Sequence, residues 1–205
     1  MSNVQETRGF HMVIDTFRIA RKSDADVLAN LVNGAYRPQT GEAGWTHEAH
    51  LVTGKRTHIG HITQLLNRPD AVILVGLASS EIVACALVEK TGASSHIGML
   101  AVHPKRQGLG LGKQMLAHAE KYAHTFFGAE TYVLQVISAR PELIAFYQRQ
   151  GYAPTGETRA FPHSADVGEP IAPDLGILIM EKSASTPSKS SGAQTTAHQD
   201  MSAIT

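Results

Sequence analysis

The chain has 205 residues with 18 basic and 18 acidic side chains, so its formal net charge is zero. That length fits one domain with its own core, and the charge balance argues against nucleic-acid coating or polybasic membrane binding. No apolar run approaches the roughly 20 residues of a membrane span, and the N-terminal residues do not form a secretory signal. The single cysteine, Cys85, cannot form an internal disulfide. We therefore expect a cytoplasmic protein with no nucleic-acid or membrane partner.

The predicted elements occupy residues 16–182. Alternating apolar residues predict a first strand at 16–20, and a capping-box pattern at 23–26 precedes a helical apolar series that ends at Tyr36. The later elements are expected to be a short helix at 46–51, a helix at 57–66, a hairpin of strands at 71–78 and 81–90, a strand, loop and helix within 95–127, a strand at 131–137, a helix from 141 to Gly151, an extended segment from 152 and a last strand at 175–181.

Both ends of the chain are expected to lie outside this domain. Residues 1–15 carry no strong pattern and are predicted to be an N-terminal extension. Residues 183–205 are rich in Ser, Thr, Ala and Gln and contain few apolar side chains. Such a segment buries too little surface to offset the entropy of ordering it, so a disordered tail is predicted.

A glycine-rich turn follows the strand that ends at His103. Gly108, Gly110 and Gly112 permit unusual backbone dihedrals or a close approach by a ligand, and they precede bare N–H groups at a helix start, which favour an anion. A Walker A loop would need a glycine at 107 and a hydroxyl at 114, where glutamine stands at both positions. A dinucleotide fingerprint starting at Gly108 would need a glycine at 113, where lysine stands. The spacing therefore excludes both nucleotide motifs.

Two motifs remain to be explained. Residues 107–112 read Gln-x-x-Gly-x-Gly after a strand that ends in Val-His-Pro, and residues 146–152 read Phe-Tyr-x-x-x-Gly-Tyr. In both motifs, and in the order of its elements from 16 to 182, the chain resembles the GCN5-related N-acetyltransferase family. The resemblance implies an α/β (α+β) fold with a central mixed, mostly antiparallel twisted sheet of six to seven strands. Helices would flank this sheet, which would be splayed at the acyl-CoA site.

The resemblance also implies an acetyl-CoA-dependent N-acetyltransferase that needs no metal. The glycine-loop amides would bind the pyrophosphate, the main-chain N–H of Leu100 would polarise the thioester carbonyl, and Tyr147 would protonate the departing thiolate. Many family members carry an asparagine where the tyrosine helix starts, and this chain offers Ser138 and Arg140 there. The expected acyl-CoA contacts are Leu100, Ala101, Val102, Gln107, Gly108, Leu109, Gly110, Leu111, Gly112, Lys113, Ser138, Arg140 and Tyr147.

The residue that deprotonates the acceptor amine is not identified by sequence. Glu42 and Glu89 are the first candidates, because the loop after the first helix and the central strands border the acceptor site in the family. Trp45 either edges the substrate pocket, together with residues 161–166, or caps the core. The further candidates for the base are His47, Glu48, His58 and His96.

A small-molecule primary amine is the expected acceptor. The alternatives are a protein or peptide amine, and a non-catalytic acyl-CoA-binding protein of the same fold. A monomer and a homodimer are both compatible with the sequence. His58 and His61 are three residues apart on a predicted helix, but no third residue is spaced to complete a metal site.

Overall fold

A mixed, mostly antiparallel sheet forms the centre of the molecule. The computed structural model describes residues 13–38, 45, 47–162 and 167–184. In chain order the elements are β1 Thr16–Ile19, α1 Ala25–Tyr36, β2 Val52–Thr53, α2 Ile59–Leu66, β3 Ala71–Ala78, β4 Glu81–Thr91, β5 Ser94–Val102, α3 Leu111–Phe127, β6 Thr131–Ile137, α4 Pro141–Arg149, β7 Ala153–Ala160, β8 Glu169–Pro170 and β9 Gly176–Ser183. The main sheet has seven strands in the order β1-β3-β4-β5-β6-β9-β7. The predicted sheet of six to seven strands is therefore confirmed.

Helices cover both faces of this sheet. α1 and α2 bury their apolar stripes against one face, through Leu28, Val32, Ile62, Ile73, Val75 and Cys85. α3 and α4 cover the other face, through Leu74, Ala86, Leu111, Met115, Leu116 and Tyr147. Each helix supplies buried side chains at helical spacing, and successive side chains of a strand point to opposite faces of the sheet. One sheet therefore separates two apolar layers.

Two strands of the main sheet separate near its middle. β5 runs parallel to β6, but their pairing covers only residues 94–96 against residues 131–133. β5 then continues to Val102 and β6 to Ile137 without further pairing between them. The predicted splay of the sheet is present, and it leaves the second half of β5 open on the β6 side.

The segment after α1 differs from the prediction. Residues 49–51 form a single turn, in which the Glu48 carbonyl accepts the N–H groups of Leu51 and Val52. The chain extends after this turn, so the turn does not continue as a helix. β2 follows and pairs with β8, with Val52 opposite Pro170. The expected short helix at 46–51 was therefore wrong among the residues described there, since contacts with a distant segment override the local pattern.

The two ends of the domain lie slightly beyond the predicted limits. Ile14 is buried, and its N–H donates to the Gln114 side chain at 3.0 Å. β9 runs to Ser183, and the N–H of Ala184 donates to the Glu130 carbonyl. The predicted disordered tail beyond 184 and the start of the predicted extension lie outside the described residues. Within the described ranges, every helix is too short or too polar to cross a bilayer.

Candidate functional site

A cavity of about 440 Å³ lies beside the open half of β5. Its walls come from β5, the glycine loop, the start of α3, α4, and the C-terminal end of α1 with the segment that follows. The lining residues are Tyr36, Trp45, Leu100, Val102, Arg106, Gln107, Gly108, Gly110, Leu111, Gly112, Lys113, Leu143, Phe146, Tyr147, Arg149 and Gln150. The structure thus brings both sequence motifs to one cavity.

A β-bulge in β5 decides which side chains reach the cavity. The register with β4 shifts between Cys85 and Leu87, and Met99 has φ +48°, which is rare for a residue with a side chain. After the bulge, Leu100 and Val102 face the α3 and α4 side, whereas Ala101 packs in the α1 layer. The predicted contacts at Leu100 and Val102 therefore line the cavity, and the Ala101 side chain points away from it.

The main-chain carbonyls of Leu100 and Val102 also point away from β4. The His103 N–H donates to the Val83 carbonyl, and because the bonded residues alternate in an antiparallel pair, Val102 directs its main-chain groups to the open side. There the Tyr36 hydroxyl donates to the Leu100 carbonyl at 2.8 Å. The Gln107 side-chain amide donates to the Val102 carbonyl at 3.0 Å.

The glycine loop presents its N–H groups at the start of α3. Gly108 has φ +77° and Gly110 has φ +84°, left-handed conformations that glycine adopts without steric cost. Among the described residues, the N–H groups from 108 to 113 have no protein acceptor, as expected for a turn that opens a helix. The Gln107 N–H, expected to join them, instead donates to the Pro104 carbonyl. Unsatisfied N–H groups and the helix dipole make this end of the cavity suitable for phosphate.

Three cationic side chains line the same cavity. Arg106 and Lys113 flank the glycine loop, and Arg149 lies at the C-terminal end of α4. Arg106 also forms an ion pair with Glu81 at 3.2 Å. Positive charge close to free N–H groups adds to the attraction for an anionic ligand.

Tyr147 belongs to the second sequence motif and lies on α4. α4 begins with Pro141 at its first turn, and Tyr147 is its buried residue. Within the described part of the chain, its hydroxyl has no hydrogen-bond partner, although it borders the cavity. Burial raises the pKa of this hydroxyl well above its usual value, the Arg140 charge lowers it in part, and the Glu48 charge raises it. Tyr147 is therefore protonated at neutral pH and able to donate a proton into the cavity.

Some predicted contacts do not meet the cavity. Ser138 is exposed, and its N–H donates to the Gly176 carbonyl. Arg140 is 2 % exposed and donates to the Trp45 carbonyl and to Glu142. Neither residue lines the cavity, nor does Leu109. The predicted contact of Ser138 and Arg140 with acyl-CoA stays a prediction.

Of the two first candidates for the base, only Glu89 is described by the structure, and it lies away from the cavity. Glu42 lies outside the described residues. Glu89 sits on β4, where it pairs with Arg68 at 2.5 Å and with His96 at 3.1 Å, and it does not line the cavity. The hydrogen bond with His96 and the charge of Arg68 hold the pKa of Glu89 below its usual value. A carboxylate stabilised in this way is a weaker base.

Glu48 is the carboxylate whose charge acts on the cavity tyrosines. It is 6 % exposed, it pairs with Arg37, and its N–H donates to the Tyr36 carbonyl. Its negative charge contributes to the raised pKa of both Tyr36 and Tyr147, after burial as the main cause. Among the other candidates, His58 caps α2 by accepting the His61 N–H at 3.1 Å.

The aromatic wall of the cavity includes Trp45, which the sequence placed either at the substrate pocket or over the core, and two residues that sequence reasoning missed, Phe146 and Tyr36. Trp45 contacts Phe146 edge-on with ring centroids 5.6 Å apart, and Phe146 contacts Tyr147 at 5.2 Å. Tyr36, the last residue of α1, completes this wall. The available signal was an aromatic residue at the end of an amphipathic helix. Within the described ranges, no group of three or more His, Cys, Asp or Glu side chains is placed to hold a metal ion.

The sequence matches the profile of the acetyltransferase (GNAT) family over residues 34–152. This match covers more than half of the chain and contains both motifs and every cavity-lining residue. The chain belongs to the GNAT family of acetyltransferases. It is thus an acyltransferase of the N-acetyltransferase type, and members of this family generally use acetyl-CoA. Comparison with curated proteins gives no significant match.

Solved structures of several acetyltransferases share the fold. Ribosomal-protein-alanine N-acetyltransferase from Brucella melitensis has a TM-score of 0.62 at 18% identity, covering 82% of this chain and 99% of that one. A spermidine N-acetyltransferase chimera from Vibrio cholerae and hSSAT has a TM-score of 0.60 at 14% identity, with 82% and 94% covered. A probable acetyltransferase from Staphylococcus epidermidis gives 0.63 at 12%, with 83% and 99% covered. These TM-scores show a common fold, and the acceptors in the names of these proteins are a polyamine and a ribosomal protein.

Proposed function

We propose that this protein transfers an acetyl group from acetyl-CoA directly to the primary amine of a small molecule. The observation that carries the proposal is the position of Tyr147. Its buried, protonated hydroxyl borders the same cavity as the acceptor-free amides of the glycine loop and the open half of β5. A phosphate-binding end and a proton donor in one cavity are what a thioester cosubstrate requires.

The residues present fit acetyl-CoA in two respects. The N–H groups at 108–113, with Arg106 and Lys113, match the pyrophosphate in charge and donor number. The outward main-chain groups of Leu100 and Val102 offer an extended ligand a strand edge to pair with. Bound acetyl-CoA supplies the activated acetyl thioester.

In the proposed reaction, the unprotonated amine attacks the thioester carbonyl carbon. A C–N bond forms, the C–S bond breaks, and Tyr147 gives its proton to the leaving sulfur. The N–H of Leu100 stabilises the developing negative charge on the carbonyl oxygen. A base removes the ammonium proton, and Tyr147 regains a proton from solvent. No carboxylate of the described residues lines the cavity, so this base is not assigned to a residue.

The test is release of free thiol from acetyl-CoA with a panel of amines. The panel contains short monoamines, spermidine, amino acids, amino sugars and a peptide with an N-terminal alanine. Tyr147→Phe removes the proton donor and is expected to lower kcat by about two to four orders of magnitude, a typical general-acid contribution. Tyr122→Phe, a half-buried tyrosine on α3 that does not line the cavity, is the matched control and is expected to keep wild-type turnover.

Thermal unfolding separates binding from turnover. Acetyl-CoA is expected to raise the melting temperature of both the wild-type protein and Tyr147→Phe, since a ligand of the native state stabilises it. Stabilisation without turnover of any amine, and no effect of Tyr147→Phe, would contradict the proposal in favour of a non-catalytic acyl-CoA-binding protein. Turnover of the peptide alone would contradict the small-molecule acceptor.

A further inference from the structure

A buried arginine joins the start of α4 to the segment that carries Trp45. Arg140 is 2 % exposed, and its Nη2 donates to the Trp45 carbonyl at 2.9 Å. Its Nε donates to Glu142 in the first turn of α4. The Arg140 carbonyl accepts the N–H groups of Leu143 and Ile144, at 3.1 Å and 3.0 Å. One residue thus caps α4 with its main chain and holds a distant segment with its side chain.

Burying this guanidinium has an energetic cost that its contacts must offset. A charge removed from water is tolerated where it is paired and hydrogen-bonded, as Arg140 is. The carbonyl that it binds belongs to a residue 95 positions away in sequence. Because the bond is made to the main chain, it fixes the path of the segment at Trp45. The indole ring is then left to project over the cavity.

The indole is the first ring in a series that leads to the proton donor. Trp45, 44 % exposed, contacts Phe146 edge-on, and Phe146 contacts Tyr147 in the same way. Tyr147 in turn contacts Tyr152, with centroids 6.0 Å apart. The Phe146 ring therefore lies between the Trp45 indole and the ring of Tyr147, whose hydroxyl borders the reaction site. Trp45 is one of the residues that line the cavity.

We propose that Arg140 is a positioning residue that holds Trp45 against Phe146, and that Trp45 forms a wall selecting acceptor amines with an apolar or aromatic group. The second part rests on the proposed N-acetyltransferase function. The phosphate-binding end of the cavity is cationic, through Arg106 and Lys113. The Trp45 end is aromatic, and an aromatic ring binds well edge-to-face or offset-stacked on such a wall.

Intrinsic fluorescence tests the positioning role without any turnover. Trp45 is the single tryptophan of the chain, so its emission reports one site. Arg140→Met is expected to shift the emission to longer wavelength and to increase quenching by acrylamide, because the indole loses its fixed contact with Phe146. Arg140→Lys, which keeps a cation and a donor, is expected to shift it less. This second variant also covers the case in which Arg140→Met does not fold.

A matched control exists on β7. Arg159 donates through Nε to Glu157, two residues away, as Arg140 does to Glu142, but the Arg159 pair is exposed on both sides. Arg159→Met therefore removes the same kind of ion pair away from the cavity. Its fluorescence and turnover are expected to match those of the wild-type protein.

Acceptor choice tests the wall. The measured quantity is the ratio of kcat/KM for 2-phenylethylamine to that for ethanolamine, two short primary amines. Trp45→Ala is expected to lower this ratio about tenfold, the scale of a lost aromatic pair with its buried area, while Trp45→Phe retains most of it. Arg140→Met is expected to lower the ratio in the wild-type background and to have no further effect when combined with Trp45→Ala, because it acts through Trp45.

The affinity for acetyl-CoA, measured by calorimetry, distinguishes a positioning role of Arg140 from a direct contact with the cosubstrate. It is expected to be the same in the wild-type protein and Arg140→Lys. Weaker acetyl-CoA binding in the Arg140 variants with unchanged Trp45 emission would overturn the positioning role and make Arg140 a cosubstrate contact. An unchanged amine ratio in Trp45→Ala would overturn the wall. Failure of every amine to react would overturn the proposed function and the acceptor assignment, whereas the fluorescence result would still decide the role of Arg140.

Discussion

Replacing Tyr36 by phenylalanine tests how the open half of β5 is held in place. The Tyr36 hydroxyl donates to the Leu100 carbonyl at 2.8 Å, and burial raises its pKa so that it remains a donor at all ordinary pH values. Leu100 is 8 % exposed. Tyr36→Phe leaves this carbonyl without its donor, and an unsatisfied buried group costs about 1–3 kcal/mol. Because the carbonyl borders a cavity that admits water, we expect about 1–2 kcal/mol.

For a chain of this size, that loss corresponds to a fall in melting temperature of about 2–8 °C, at roughly 2–4 °C for each kcal/mol. Urea unfolding at neutral pH measures the free energy of unfolding directly. Tyr122→Phe is the matched control, because the Tyr122 hydroxyl has no partner among the described residues and its ring packs on Phe126 and Phe127. A Tyr36→Phe protein within about 0.5 kcal/mol of wild type would refute the reasoning, since surface-like substitutions fall in that range.

Three further predictions concern pH and the glycine loop. Burial raises the pKa of Tyr147 and Tyr152, so these hydroxyls lose their protons at lower pH in the unfolded chain than in the folded one. The free energy of unfolding is therefore unaffected below about pH 10 and falls above it by about 1.4 kcal/mol per pH unit for each group. Urea unfolding measured at several pH values should show a smaller fall with pH for Tyr152→Phe than for the wild-type protein. The pKa of Glu89 is lowered by its histidine and arginine partners, so the ionised carboxylate stabilises the fold above about pH 4.3 and this contribution is lost below it. Glu89→Gln should therefore lower the free energy of unfolding at pH 7 without lowering kcat. A large loss of kcat would show that Glu89 is the base after all. Gly110→Ala places a side chain at φ +84° and should cost about 1–2 kcal/mol and weaken acetyl-CoA binding in calorimetry, whereas Gly34→Ala, in open space on α1, should be neutral or stabilising.

The fold was predictable where local pattern and burial agree. β3 reads as a continuous apolar run because both of its faces are covered, and α3 shows helical spacing because one stripe packs on the sheet. Both were located within a few residues. The glycine loop was predictable for the same reason, since the positive φ angles of Gly108 and Gly110 restrict the residue type.

The acceptor side of the site was not predictable from the sequence. Tyr36 meets Leu100 across 64 positions and Arg140 meets Trp45 across 95, and no local pattern encodes such pairs. Arg140 occupies a family position near the cosubstrate, yet its side chain turns into the protein. Glu89 lies on a central strand as expected, but three residues of β5 separate its partner His96 from Leu100.

The short contact between β5 and β6 has a mechanical consequence. The sheet consists of two blocks, β1-β3-β4-β5 and β6-β9-β7, and among the described residues β5 and β6 pair with each other at 94–96 and 131–133, next to a bond from the Glu130 N–H to the Ala93 carbonyl. An extended ligand that pairs with the open edge of β5 adds hydrogen bonds at that seam. Native-state hydrogen exchange should therefore resolve two cooperative units in the free protein, and saturation with acetyl-CoA should slow the opening of the β5 edge more than that of the β9 ladder. The cosubstrate would then act as a structural strand as well as a reactant.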